Sequence, residues 1–150
     1  MRLRQRARAG MTTLESAVVF PVTFLLILGL IVGGLGVFRY QETASLARRA
    51  ARYAAVHGQQ YAKDTGNAAA TPDDIYTNAI KPYAVSLDLT KLTYTVSYNT
   101  SNSPGTVGVQ NGDVVNMRNT VTVTVSYNWV PEAFLGGITL TSTSVMPMAY

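Results

Sequence analysis

Three hydrophobic patterns follow one another along the chain. From Ser16 to Phe38 runs "SAVVFPVTFLLILGLIVGGLGVF", 23 residues without a charge. About 20 apolar residues suffice to carry a helix across a hydrocarbon core of roughly 30 Å. A cleavable secretory signal has an apolar region of only about 7–15 residues, so this run predicts a retained membrane helix. Next, Ala44, Ala47, Ala51, Ala54 and Ala55 recur at spacings of three and four, with Arg48, Arg49 and Arg52 largely off that side. Such a stripe predicts a helix face for close packing. The two patterns join without a break, which predicts one helix from a cap at Thr12 or Thr13 to about His57, stopped by Gly58. About 45 residues at ~1.5 Å each give ~65–70 Å.

Beyond residue 85 the pattern alternates. Leu92, Tyr94, Val96 and Tyr98 oppose Thr93, Thr95 and Ser97. Val121, Val123, Val125, Tyr127 and Trp129 oppose Thr122, Thr124, Ser126 and Asn128. A third strand opens with Ile138 and Leu140, and Val145 falls out of phase, which suggests a bulge or an edge. Asn111-Gly112 is a hairpin-turn signal within the connection between the first two strands.

Between the helix and the strands, "GQQYAKDTGNAAATPDD" reads as a polar connection. A short helix follows over 72–81: Thr71 caps it, Pro72 suits its first position, Asp73 and Asp74 suit its positive end, and Pro82 ends it. The expected fold class is α+β. A long N-terminal transmembrane helix continues into a small domain with one short helix and an antiparallel sheet of about three to four strands. The apolar face of the sheet needs a cover. The alanine stripe and the short helix are available for it.

Charge refines the picture. Lys and Arg total 12 against 8 acids, but Arg2, Arg4, Arg6 and Arg8 lie in the first ten residues, which hold no acid. The remainder is formally balanced, so the high pI belongs to a tail and does not indicate nucleic-acid binding. Arg39, Arg48, Arg49 and Arg52 flank the apolar run on its other side, and charge alone leaves the topology open. The tail arginines are not adjacent, so a twin-arginine export signal is not supported.

The chain has no cysteine, which excludes disulfides, thiolate metal sites and thiol nucleophiles. Its single histidine, His57, sits at the expected helix end, and no G-x-S-x-G is present. Asp73 and Asp74 are explained by capping, so no metal and no cofactor are expected. Enzymatic function is not expected. The triplet "NTS" at Asn99 matches a glycosylation acceptor, a pattern frequent by chance.

Within the apolar helix, Pro21 lacks a backbone donor and predicts a kink or local opening. Gly29 and Gly33 form a G-x-x-x-G pair suited to helix packing in a membrane. Glu15 stands at the threshold of the run, where a carboxylate is costly: about 2.5–3.5 kcal/mol at mid-bilayer on insertion scales, less near an interface.

A basic tail, Gly10, then "MTTLE" and an apolar run resemble the type IV prepilin arrangement. The resemblance implies that a prepilin peptidase cuts on the cytoplasmic side between Gly10 and Met11. Residues 1–10 would be a leader, 11–57 the long helix with its transmembrane half at 16–38, and 58–150 an extracytoplasmic α+β domain. The new amine of Met11 would pair with Glu15 of a neighbouring subunit. The stretches "TLESAVVFPVTFLLILGLIVGGLGVFRYQETASLARRAARYAAVHG" and "VTVSYNWVPEAFLGGITLTSTSVMP" resemble the TadE-like family of pseudopilins from tight-adherence (Tad) pilus systems. Related major pilins carry an aromatic after the glutamate, where this chain has Ser16.

The resemblance implies a minor pilin or pseudopilin acting in pilus assembly and surface adherence. Its implied location is the cytoplasmic (inner) membrane, with the tail inside and the C-terminal domain outside, or incorporation into a surface pilus. The partners implied are prepilin peptidase, other pilin or pseudopilin subunits, Tad membrane assembly proteins and the lipid bilayer. The alternative is an uncleaved, single-pass anchored binding domain on the extracytoplasmic side.

Overall fold

A computed structural model describes residues 3–101, 107–116, 119–131 and 136–148, with the backbone alone for residues 3–11. The chain divides into two compact units, Met1–Val37 and Phe38–Tyr150.

Helix α1 spans Leu3–Val56 and contributes to both. It begins well before Thr12 and Thr13, so neither threonine is its cap. The physical reason lies upstream: Leu, Arg, Gln and Ala are among the best helix formers, and Gly10 costs only about 1 kcal/mol within a helix. Nothing there stops the helix from extending. It also runs through Pro21 without interruption. Pro21 can offer no donor to the Ala17 carbonyl, and the neighbouring hydrogen bonds hold the turn.

In the first unit the large apolar side chains from Leu14 onward face outward on every side of the helix. An 18-residue window has mean hydropathy 2.6 and none of it is buried. By length and composition this helix is long and apolar enough to cross a membrane, and it suggests a membrane anchor.

In the second unit α1 behaves differently. Ala44, Ala47, Ala51, Ala54 and Ala55 are buried, as the stripe predicts, and Thr43, Leu46 and Ala50 are buried with them. Buried Thr43 donates its hydroxyl to the Arg39 carbonyl at 2.9 Å, so its polarity is satisfied within the helix.

Gly58 does not end α1 as a left-handed cap. Its backbone is extended, at φ −78° and ψ −159°, and it starts a second helix, α2 (Gln59–Thr65). A side chain there would stand 3.3 Å from the Ala54 carbonyl and 3.7 Å from Met148 Sδ. The glycine therefore permits a close approach. The left-handed cap falls instead at Gly66, φ 72°, whose N–H donates to the Ala62 carbonyl. The polar connection expected over 58–74 thus contains a helix.

The short helix α3 (Pro72–Ile75) widens into a π turn at Tyr76–Ile80 and tightens into a 3₁₀ turn at Lys81–Tyr83. Thr71 and Asp74 form a reciprocal capping box. Pro82 does not end the helix outright but lies inside the last turn. The Lys81 N–H reaches five residues back, to Tyr76. Ile75, Ala79 and Ile80 are buried.

The sheet has three antiparallel strands in the order β1 (Leu92–Asn99), β4 (Thr120–Trp129), β5 (Ile138–Pro147). A separate hairpin pairs β2 (Val107–Gln110) with β3 (Asp113–Asn116). It turns at Asn111, φ 53°, and Gly112, φ 90°, the left-handed pair that the Asn-Gly signal requires.

On β4 Val121, Val123, Val125, Tyr127 and Trp129 are all buried. The alternation on β1 places Leu92, Tyr94, Val96 and Tyr98 on the same face through the register Val96↔Val123. The wholly buried alanines of α1 and valines of β4 lie in one compact unit and form its core with Ile75 and Ile80.

Strand β5 has no bulge. Its register with β4 is regular from Trp129↔Ile138 to Thr120↔Pro147. It is an edge strand, and Val145, paired with Thr122, belongs to the outer face. That face is a hydroxyl ladder, with Thr124 bonded to Thr143 and Ser126 to Thr141, both at 2.9 Å.

Candidate functional site: the N-terminal helix and the domain groove

Leu14, Glu15, Val18, Val19 and Phe20 are exposed on α1 just past the tail. The Glu15 carboxylate has no hydrogen-bond or salt-bridge partner among the described residues. Fully burying one large apolar side chain stabilises by ~1.5–3 kcal/mol. The exposed series from Leu14 to Phe38 therefore outweighs the ~2.5–3.5 kcal/mol cost of one carboxylate several times over. Glu15 is tolerated there without a stabilising partner among the described residues.

Gly10 and Met11 fall inside the helical backbone. Helical rise sets Met11 and Glu15 one turn apart, about 6 Å along the axis. Ser16 donates its hydroxyl to the Thr12 carbonyl at 2.9 Å. Its polarity is thereby absorbed within the helix, a device that the residue pattern alone did not reveal.

Gly29, Gly33 and Gly34 have open space where a side chain would be. They leave a flat strip on the helix that no part of the unit fills. Phe20, Pro21, Thr23, Phe24 and Ile27 line an apolar recess nearby.

In the domain, a groove lies between α1 and the turns that follow α3. Arg49, Arg52, Tyr53, Val56, His57, Asn78, Ala79 and Tyr83 line it. Arg49 sits over the Tyr83 ring, 4.3 Å from its centroid. His57 stacks on Tyr53 at 4.1 Å, tilts against Tyr61 at 5.0 Å, and places Nδ1 3.1 Å from the Tyr53 carbonyl. A carbonyl only accepts, so Nδ1 carries the proton in that contact. The histidine is a stacked helix-end residue without an adjacent nucleophile.

Four of the domain's acids serve its own loops and caps. Glu42 accepts from the Ser86 N–H at 3.0 Å and from the Ser86 hydroxyl, tying the 84–88 loop to α1. Asp73 accepts from the Tyr94 phenol at 3.0 Å, where Tyr94 stacks on Tyr76 at 5.0 Å. Burial, and then that acceptor, push the Tyr94 phenol up. Asp74 is held below the usual carboxylate range by the Thr71 hydroxyl and then by its N–H. Asp88 is lowered likewise by Thr90. Asn99 accepts from Ser101 in a local turn. Among the described residues no group of three or more His, Cys, Asp or Glu could hold a metal ion.

Residues 10–52 match the family model for TadE-like proteins. The chain carries a TadE-like segment. It opens at Gly10, takes in Glu15, Pro21, Gly29 and Gly33, and closes at Arg52, on the stretch of α1 whose other side is the buried alanine face. The TadE-like segment suggests a pilin-like protein associated with a Tad pilus, a structural and non-enzymatic family. No curated protein and no solved structure matches the chain.

Proposed function

We propose that the protein is a minor pilin or pseudopilin of a Tad-type pilus, acting in pilus assembly and surface adherence after its leader is removed. The observation that carries this reading is an exposed, unpartnered Glu15 inside a TadE-like segment, four residues after Met11 and at the head of an exposed apolar helix. Cleavage between Gly10 and Met11 by a prepilin peptidase would free an α-amine beside the bilayer. The Glu15 carboxylate of an adjacent subunit would neutralise it and set the register of the bundle. Pro21, Gly29 and Gly33 would supply the close helix contacts. The arginine tail faces the cytoplasm, the helix spans the inner membrane, and the domain lies outside. The partners are the peptidase, other pilin subunits, Tad assembly proteins and lipid.

One observation favours an uncleaved, anchored binding domain instead. The backbone is helical on both sides of the Gly10–Met11 bond, and peptidases act on extended chain. Gly10 moderates this, because glycine weakens a helix by about 1 kcal/mol and eases local unwinding. Intact-mass measurement on membrane-extracted protein from the native host separates the two readings. Loss of residues 1–10, prevented by a bulky replacement of Gly10, is the expected result. Glu15→Ala should leave the cut intact and abolish pilus incorporation. An uncut wild-type chain in pilus-forming cells would refute the pilin reading.

A further inference from the structure

The β2–β3 hairpin is the one two-stranded sheet among the described residues, and it presents apolar side chains outward. Val109 and Val114 face each other across it, yet they are 75% and 73% exposed. At its turn, on the face opposite Val109 and Val114, Asp113 is exposed and has no side-chain partner among the described residues. Among the domain's other described acids, Glu42, Asp73, Asp74 and Asp88 are engaged by their own chain, and Asp64 has a partner too.

The groove along α1 is the complement of this surface. It offers an exposed apolar floor in Val56 and Tyr83, 59% and 48% exposed, and in Arg52 a cation without a partner among the described residues, with Arg49 alongside. We propose that the β2–β3 hairpin of one copy docks into the α1 groove of another. Val109 and Val114 cover Val56 and Tyr83, and the long Arg52 side chain reaches round the strand edge to Asp113 on the hairpin's other face.

The occupant is a second copy because the chain itself carries both halves: one exposed apolar hairpin with a free carboxylate, and one apolar groove with a free guanidinium. Two different patches meet, so the contact is heterologous and propagates from copy to copy without closing. A single charge pair over a small apolar contact is weak in solution. Confinement of anchored copies to one membrane raises their effective concentration and makes a weak contact sufficient. The contact uses the domain alone and needs no leader cleavage, so it extends the pilin reading without depending on it.

The absence of native cysteine makes the test clean. Two full-length, differently tagged chains, one Val56→Cys and the other Val114→Cys, are co-expressed in membranes of a host lacking prepilin peptidase. Mild oxidation then follows. Each chain has one cysteine, so only bonds between copies can form. The mixed-tag disulfide should exceed that of a Val56→Cys with Val145→Cys control by at least fivefold. Arg52→Glu in the first chain should lower the yield severalfold, and Asp113→Arg in the second should restore it. Trp129 fluorescence verifies that each variant is folded. A yield equal to the control, or one indifferent to Arg52→Glu, overturns the proposal. Uncut chains that crosslink as expected would uphold it even if the leader experiment failed.

Discussion

The core makes its sharpest quantitative prediction at Val123. Its side chain has no solvent exposure, sits at the centre of β4 and belongs to the same core as the alanine face of α1. Val123→Ala removes two methylene equivalents at about 0.8 kcal/mol each. Alanines cannot move in to fill the space, since their only side-chain atom is already fixed by the helix. A residual cavity of about 40 Å³ at ~24 cal/mol per Å³ adds about 1 kcal/mol. The expected loss is therefore about 2.5 kcal/mol.

Val145→Ala is the matched control. It removes the same atoms from an outer-face position that is 57% exposed on the neighbouring strand. That change should cost less than about 0.5 kcal/mol. The chain has a single tryptophan, Trp129, buried at the end of β4. Its emission in detergent-solubilised full-length protein reports denaturant unfolding of the domain directly. Equal losses for both variants, or a loss below 0.5 kcal/mol for Val123→Ala, would refute the assignment of faces.

Two further outcomes follow from local geometry. Asp74 is held charged by Thr71, so its contribution is full above the usual carboxylate range of about 3.9 and disappears as pH falls through its lower folded value. Asp74→Asn should thus be less stable than wild type at neutral pH, with the gap closing toward pH 2; a pH-independent gap would remove the capping box as its cause. Gly112 has φ 90°, and Gly112→Ala should cost the hairpin about 1–2 kcal/mol. Because β2–β3 pairs with no other described strand, the copy-to-copy crosslink should fall while the Trp129 unfolding midpoint stays put; a shifted midpoint would mean the hairpin is part of the core.

What the residue pattern made legible depended on how many residues shared in it. Five inward positions of β4 alternate without exception, and all five are buried. The alanine stripe was readable from five alanines, while Thr43, Leu46 and Ala50, buried beside it, went unseen because the buried face is wider than that one line of spacings. Single-residue signals fared worse. Gly58 looks like a helix stop, but its role is set by Ala54 and Met148, the second of them 90 residues away. Helix α2, "QQYAKDT", lacks an apolar period and forms between that glycine and the left-handed Gly66. Val145 broke the hydrophobic alternation, yet the backbone register did not slip. Each strand pairs residue for residue, and Ser142 and Ser144 take the inward positions without a bulge. The groove was illegible for a different reason: Arg52 and Tyr83 are brought together by tertiary packing.

Helix α1 carries two solutions to the same problem of hiding apolar surface. Over Leu14–Phe38 its large side chains point in every direction. A single protein face does not cover a helix all round, and that portion is long and apolar enough to cross a membrane. From Thr43 to Ala55 the apolar residues collapse to one side and shrink mostly to alanine. Small side chains draw the helix close to the β4 valines and leave Arg48, Arg49 and Arg52 outside. Arginines so placed cannot pair with the domain's acids, because Glu42, Asp73, Asp74 and Asp88 already hold loops and caps. A chain that is balanced in charge beyond its tail thereby keeps a cationic groove, and the free carboxylates among its described residues are left at Glu15 and Asp113. Both are exposed to whatever molecule lies alongside. The arrangement of acids, more than their number, is what the proposed assembly would use.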